Sequence, residues 1–187
     1  MTLELMRARK IAVLGSRAVG KSSMTIQFVE NHFADTYYPT IENTFHKLVR
    51  YRNQDYDAEI IDTAGQDEYS ILNSKHAIGI HGYVLVYSIA SRQSFEMCHV
   101  VRDKILNYTG IDWVPIVLVG NKADLSNQRQ VPTEEATRVA IEWNCAFIES
   151  SAKHNQNIGK IFELVLGEIE KQGLDSEPPR TSGCLLM

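Results

Sequence analysis

A chain of 187 residues is long enough to bury one sizeable core and short for two, so a single domain is expected. Its 44% hydrophobic and 22% charged residues are ordinary for a globular protein and argue against a disordered or fibrous chain. With 23 acidic residues against 19 basic ones, the net charge of -4 argues against nucleic acid as a partner.

The three cysteines, Cys98, Cys145 and Cys184, are widely scattered. They fit neither a disulfide framework nor the ligand spacing of a zinc site. The first ten residues lack the apolar stretch of a signal peptide, and no apolar run reaches the length of a membrane span. We therefore expect a soluble body in a reducing, cytosolic setting.

Compact apolar runs at 10–14, 82–88 and 115–120, with a shorter one at 146–149, predict strands buried on both faces of a sheet. Helical patterns alternate with these runs, at 21–30, 91–108, 133–143 and 155–171. Strands that alternate with helices predict an α/β domain with right-handed crossovers and a largely parallel sheet.

Two segments differ from the buried runs, because residues 44–51 and 56–61 mix polar and apolar side chains. Only residues 52–55 separate them, so they predict a hairpin at the sheet edge. From about residue 173 the chain contains prolines and small polar residues with little to bury. We expect a folded domain over 1–172 and a flexible tail over 173–187.

The segment GSRAVGKS at 15–22 matches the phosphate-loop pattern G-x-x-x-x-G-K-[ST]. It follows a predicted strand and opens a predicted helix, which favours a phosphate site over an ordinary glycine-rich turn. The loop N–H groups would surround the β-phosphate, and Lys21 would bridge the β- and γ-phosphates. The Ser22 hydroxyl would ligate Mg²⁺.

The segment NKAD at 121–124 directly follows the predicted strand at 115–120, at the end of a strand where α/β sheets bind ligands. A carboxylate at Asp124 can accept hydrogen bonds from the N1–H and the exocyclic amine of guanine. Adenine offers neither donor in that arrangement, so the pattern predicts guanine specificity. Alone, NKAD would read as a polar surface turn; its position relative to the phosphate loop favours base recognition.

Together with DTAGQ at 62–66 and SAK at 151–153, these motifs occur in the order and at roughly the spacing of Ras-type GTPases, which the whole chain resembles. Arg17, YYPTIENTF at 37–45 and DTAGQDEYSI at 62–71 resemble the Rheb branch of that family. The resemblance implies a P-loop GTPase (G domain) fold: a six-stranded, mostly parallel sheet with one antiparallel edge strand and helices on both faces. It also implies GTP and GDP as ligands, with Mg²⁺.

The resemblance assigns roles residue by residue. Thr40 would ligate Mg²⁺ and sense the γ-phosphate, and Asp62 would hold Mg²⁺ through water. Gly65 would donate its N–H to the γ-phosphate, and Gln66 would position the attacking water. The implied nucleotide contacts are Arg17, Ala18, Val19, Gly20, Lys21, Ser22, Ser23, Phe33, Tyr37, Pro39, Thr40, Gly65, Asn121, Lys122, Asp124, Ser151, Ala152 and Lys153.

Within this set, Phe33 would cover the base and Ala152 would donate its backbone N–H to the guanine carbonyl. Seen alone, Phe33 would be a core residue and Thr40 a turn residue after Pro39. Their joint occurrence with the other motifs favours the functional roles. The histidines show no pairing typical of a metal site and are expected to be surface or packing residues: His32, His46, His76, His81, His99 and His154.

Gln66, Lys21 and Thr40 are therefore the expected catalytic residues, with Arg17 and Tyr37 as modulators. Arg17 stands where most Ras relatives have glycine, and a long side chain there would crowd Gln66 and the γ-phosphate. We expect intrinsic hydrolysis at or below about 10⁻⁴ per second, the scale of unassisted small GTPases. The alternative is that Arg17 acts as a built-in arginine finger.

The chain ends in Cys184-Leu185-Leu186-Met187, a C-a-a-X box whose terminal Met indicates farnesylation of Cys184 by farnesyltransferase. The tail has one basic residue, Arg180, and no second cysteine. A single prenyl group without a polybasic patch gives marginal, reversible membrane binding. We expect transient occupancy of the cytoplasmic face of internal membranes (lysosome or vacuole, ER, Golgi) with a cytosolic pool.

A regulated GTPase switch is the favoured function, because Gln66, Thr40 and Asp62 are all present. The resemblance implies a monomer, a TOR-kinase complex as effector in growth signalling and a tuberin-like GTPase-activating protein. One alternative is a binding module that stays loaded with GTP because Arg17 disables hydrolysis. The other is a small-molecule kinase, against which NKAD argues.

Overall fold

The computed structural model describes residues 6–33, 40–67 and 78–175, with side chains as far as Lys171. Within these ranges the chain forms strand, helix and two further strands, and then strands and helices in alternation. The strands are β1 (Arg7–Gly15), β2 (Glu42–Tyr51), β3 (Gln54–Thr63), β4 (Gly82–Ser88), β5 (Ile116–Asn121) and β6 (Ala146–Glu149). The helices are α1 (Lys21–Glu30), α2 (Arg92–Thr109), α3 (Thr133–Glu142) and α4 (Ile158–Asp175).

The strands form one sheet in the order β2-β3-β1-β4-β5-β6. Every neighbouring pair is parallel except β2 with β3, which is antiparallel at the edge. The hairpin turn has φ values of 47° at Arg52 and 63° at Asn53, the left-handed pair that a two-residue turn between twisted strands favours. The predicted edge hairpin and mostly parallel sheet are confirmed.

Alternate residues of the central strands enter two apolar clusters on opposite faces of the sheet. Val13 packs in a cluster with Met24 of α1 and Phe162 of α4. Its neighbour Leu14 packs in the other cluster, with Phe95 of α2. Because successive strand residues point to opposite faces, α1 and α4 cover one face and α2 and α3 the other. Every residue of β4 and β5 is buried, as a strand covered on both faces requires.

Several predicted boundaries shift. The strand predicted at 10–14 begins at Arg7, because its first residues pair with β3 while remaining partly exposed. The helix predicted at 155–171 begins only at Ile158, after turns in which Asn155 and Asn157 have φ of 52° and 61°. It ends at Asp175 and so runs into the segment predicted as tail. Residues 176–187 of that segment lie outside the described residues.

The fold brings the predicted motifs to one edge of the sheet. The phosphate loop follows β1, residues 64–67 follow β3, Lys122 to Asp124 follow β5, and Ser150 to Lys153 follow β6. These four strands run in the same direction, so their carboxyl ends meet at that edge. In the described part of the chain, no helix combines the length and apolar composition needed to cross a membrane.

Candidate functional site

The phosphate loop turns sharply between β1 and α1. Gly20, the residue before the helix, has a φ of 95°. A side chain there would place its Cβ 2.3 Å from the Asn121 amide nitrogen, so only glycine fits. Asn121 Nδ2 donates to the Val19 carbonyl oxygen at 2.9 Å, which ties the loop to the end of β5.

Lys21 points back into the loop that precedes it. Its Nζ donates to the carbonyl oxygens of Gly15 at 3.0 Å and Ser16 at 2.9 Å, and the residue is 6% exposed. Burial lowers the pKa of Lys21 to about 8, although the nearby Asp62 carboxylate acts in the opposite direction. An ammonium has three donors, and the two bonds described leave one for a phosphate oxygen.

Three oxygen-bearing side chains meet beside Lys21. The hydroxyls of Ser22 and Thr40 lie 2.6 Å apart. The Asp62 carboxylate is fully buried, and neither of its oxygens accepts a hydrogen bond from the described residues. Burial raises the pKa of Asp62, and the neighbouring Ser22 hydroxyl and Lys21 ammonium offset this only in part.

This donor set fits Mg²⁺. The ion prefers oxygen ligands in octahedral geometry at about 2.1 Å, which places adjacent ligands about 3.0 Å apart. The Ser22 and Thr40 hydroxyls are 2.6 Å apart, a hydrogen-bond distance, so they would have to separate slightly to bind the ion together. A buried carboxylate without a partner is costly, and a divalent cation would compensate that cost. The structure therefore brings together the three side chains predicted to hold the metal, Ser22 and Thr40 directly and Asp62 through water.

The predicted base-reading residues meet where β5 and β6 end. The Ser151 hydroxyl donates to Asp124 Oδ1 at 2.5 Å, which orients the carboxylate. Lys122 has a φ of 63° and begins a short 3₁₀ turn, Ala123–Gln128, that carries Asp124. The Ala152 N–H donates to Asn121 Oδ1 at 3.3 Å, so its bond to a guanine carbonyl stays a prediction.

Arg17 reaches across the loop that follows β3. Its Nη2 lies 3.3 Å from Asp67 Oδ2, although both side chains are largely exposed. A Cβ added at Gly65 would lie 2.3 Å from Arg17 Cγ and 2.7 Å from the Arg17 backbone nitrogen. The Asp67 backbone carbonyl also accepts a hydrogen bond from Lys104 Nζ of α2 at 3.2 Å.

Gln66 lies between Gly65 and Asp67, the two residues that Arg17 approaches. Its backbone N–H donates to the Gly15 carbonyl at 2.9 Å, which holds residue 66 beside the phosphate loop. Its side-chain Nε2 donates to the Ala64 carbonyl at 3.1 Å, so the amide is turned toward its own loop. Its role in positioning water stays a prediction.

Other predicted residues are only partly placed. Phe33 is half-buried and packs against the cluster that contains Met24 and Phe162. Tyr37, Pro39 and Cys184 lie outside the described residues. Two features were not predicted from the sequence: Asp67 as the partner of Arg17, and the role of Asn121, already a predicted nucleotide contact, as the link between the two nucleotide loops. Only the adjacency of Asp67 to Gln66 could have pointed to the first.

Three of the described histidines have polar or aromatic neighbours. His81 Nδ1 accepts a hydrogen bond from the Lys10 N–H at 2.8 Å, and His46 lies 3.5 Å from Asp57. The His99 ring packs edge-on against Phe95. In the described ranges, histidines, cysteines and acidic residues form no cluster of three or more that could hold a metal.

Comparison with known proteins agrees with this geometry. The model of the Ras family matches residues 10–171. The chain is similar to the GTP-binding protein rhb1 of Schizosaccharomyces pombe, 64% identical over 180 residues, or 96% of this chain and 97% of that protein. The small monomeric GTPase RhbA of Aspergillus fumigatus is 60% identical over 182 residues, covering 97% of each chain. The GTP-binding protein Rheb of Homo sapiens is 52% identical over 165 residues, covering 88% of this chain and 90% of that protein. The chain therefore belongs to the Ras family, within which it is a Rheb-type small GTPase that binds guanine nucleotides and hydrolyses GTP.

Proposed function

We propose that this GTPase is a Mg²⁺-dependent switch in which Ser22, Thr40 and Asp62 hold the metal beside the phosphates. The observation that carries the proposal is the buried Asp62 carboxylate, which accepts no hydrogen bond from the described residues, next to the paired hydroxyls of Ser22 and Thr40. Bound Mg²⁺ supplies charge neutralisation for the transferred phosphoryl group. Lys21 orients the β- and γ-phosphates, and the loop N–H groups stabilise charge that develops on their oxygens.

The switch depends on two segments, those of Thr40 and Gly65, that the γ-phosphate would hold in place. Thr40 lies just before β2, and Gly65 lies just after β3. If each contacts the γ-phosphate, their two segments lose a tether when that group leaves. The strands behind them are paired in one hairpin, so a partner can read both segments together.

We also propose that Arg17 obstructs hydrolysis. Its side chain occupies the space beside Gly65 and extends toward Asp67, next to Gln66. Replacing Arg17 with glycine should free the Gln66 amide to approach the attacking water. Single-turnover hydrolysis of preloaded GTP is expected to accelerate, from at or below about 10⁻⁴ per second by up to about tenfold.

Arg17→Ala is the matched variant, because it removes the side chain without adding backbone freedom. It should accelerate hydrolysis to a similar extent if obstruction is the cause. If Arg17 instead serves as an arginine finger, both variants will hydrolyse GTP more slowly than the wild type, and the obstruction is refuted.

The signalling role that we propose is regulation of a TOR-kinase complex, with a tuberin-like protein accelerating GTP hydrolysis. Support comes from the resemblance to the Rheb branch and from the retained Gln66, Thr40 and Asp62. Thr40→Ala is expected to abolish stimulation of TOR-kinase activity in a reconstituted assay, because Thr40 would no longer sense the γ-phosphate. Acceleration of hydrolysis by the activator separates this switch from a permanently GTP-loaded binding module, for which no activator would change the rate.

Finally, we propose that Cys184 is farnesylated and that the protein visits the cytoplasmic face of endomembranes transiently. One prenyl chain binds bilayers only marginally. Residues 173–187 contain one basic residue, Arg180, and two acidic ones, Asp175 and Glu177, so they add no electrostatic attraction to anionic lipids. In a liposome sedimentation assay, the prenylated protein should distribute between membrane and supernatant, with Cys184→Ser wholly in the supernatant. Complete retention on membranes in high salt would contradict the proposal.

A further inference from the structure

The segment that joins α1 to β2 contains four of the predicted nucleotide contacts, of which Phe33 and Thr40 lie among the described residues. It begins at Asn31, directly after α1, and ends before Glu42, where β2 begins. Residues 34–39 lie outside the described residues, so the contacts that matter here are those at the first end, around the carboxyl terminus of α1 and Phe33.

Lys47 of β2 contacts the carboxyl terminus of α1. Its Nζ donates to the carbonyl oxygen of Phe28 and lies 3.4 Å from that of Val29. These carbonyls belong to the last turn of α1, where backbone acceptors lack partners within the helix. The last turn of α1 has no basic residue of its own, so Lys47 supplies the positive charge that a helix carboxyl terminus favours.

The same ammonium group holds an aromatic stack. Lys47 Nζ lies 4.6 Å from the centroid of the Phe28 ring. That ring stacks on Phe162 of α4, with centroids 3.9 Å apart and planes 14° from parallel. Phe33 packs against the same apolar cluster. Because Phe33 follows the end of α1 by three residues and shares this cluster with Phe28, we expect a shift of the α1 terminus to move Phe33 as well.

A second contact reaches the same end from the base-reading loop. Asn31 caps α1 with a φ of 53°, and its side-chain Oδ1 accepts from Asn155 Nδ2 at 3.1 Å. Asn155 lies two residues after Lys153, a predicted base contact. The carboxyl terminus of α1 is thus tied to β2 on one side and to the base-reading loop on the other.

We propose that Lys47 is a positioning residue that slows nucleotide release by fixing the carboxyl terminus of α1, and with it Phe33. The inference rests on the proposed role of Phe33 as a cover over the base. The Asn155 to Asn31 hydrogen bond acts in the same direction. Because that bond is exposed, its effect is smaller than that of Lys47.

The test is the dissociation rate of a fluorescent GDP analogue, chased with excess GDP in saturating Mg²⁺. Lys47→Met keeps the apolar stem and removes the charge, and it is expected to raise the rate about fivefold to tenfold. Lys47→Arg should remain within about twofold of the wild type, because it restores a cation at the helix terminus. Asn155→Gly, which retains the left-handed backbone conformation, should raise the rate about twofold.

Two controls separate positioning from general loss of stability. Arg50→Ala alters an exposed residue of the same strand, whose nearest acidic partner is Asp55 at 4.0 Å, and should leave the rate unchanged. Phe33→Ala should itself accelerate release, and adding Lys47→Met to it should then have less than about a twofold effect. Stoichiometric GDP binding by Lys47→Met with an unchanged rate would overturn the inference while leaving the GTPase assignment intact. Fully multiplicative effects in the double variant would also overturn it.

Discussion

Replacing Asp124 with alanine is expected to lower the affinity for GTP and GDP by about a thousandfold, because two charge-assisted hydrogen bonds to guanine disappear. This loss of affinity should affect guanine nucleotides and not adenine nucleotides. Affinity for adenine nucleotides, weak in the wild type, should not fall further, so most of the preference for guanine is lost. Isothermal titration of nucleotide-free protein with GDP and ADP measures both quantities.

Graded variants strengthen this test. Ser151→Ala removes the hydroxyl that donates to Asp124 Oδ1 at 2.5 Å and should cost about tenfold in GDP affinity by leaving the carboxylate less well oriented. Asp103→Ala is the control, since that exposed carboxylate lies on α2 beside Arg102. Undiminished GTP affinity in Asp124→Ala would remove the proposed basis of guanine recognition.

Changing Asp62 to asparagine is expected to weaken the dependence of nucleotide binding on Mg²⁺. Mutation of an outer ligand typically costs about 10- to 100-fold in metal affinity. In the wild type, chelation of Mg²⁺ should accelerate GDP release strongly. In Asp62→Asn, release should be fast at Mg²⁺ concentrations that saturate the wild type, and chelation should change it little. A Mg²⁺ titration of the GDP dissociation rate measures the shift.

The matched control lies on the same strand. Asp57→Asn alters a partly exposed carboxylate next to His46, and the Mg²⁺ titration of that variant should overlay the wild type. The asparagine at position 62 is nearly isosteric, so the apolar packing around it is preserved. A normal Mg²⁺ response in Asp62→Asn would show that the buried carboxylate serves another purpose.

Much of the site was predictable because its residues are close together in the chain. The eight residues of GSRAVGKS contain a tight turn, a helix start and the lysine that returns to its own loop. Such local geometry depends on residue type and spacing alone. The apolar runs likewise predicted the buried strands, since a strand covered on both faces has to be apolar throughout.

The ends of strands and helices were harder to predict, because a residue can pair in the sheet without being buried. Three of the first four residues of β1 are basic, yet these residues belong to the sheet because β3 offers hydrogen-bond partners along their whole length. The start of α4 was also misplaced, because Asn155 and Asn157 adopt left-handed conformations that composition alone does not show.

The residue types and their order along the chain are enough to predict the chemical groups of the site: a phosphate loop, a carboxylate at Asp124 for the base and three oxygen-bearing side chains for a metal. Which of these groups approach one another depends on the three-dimensional fold. The bond from Asn121 to Val19, the approach of Arg17 to Asp67 and the capping of α1 by Lys47 each join residues far apart in the chain. Such contacts depend on strand order and register, and these arise from packing the whole sheet against its helices and not from any local pattern.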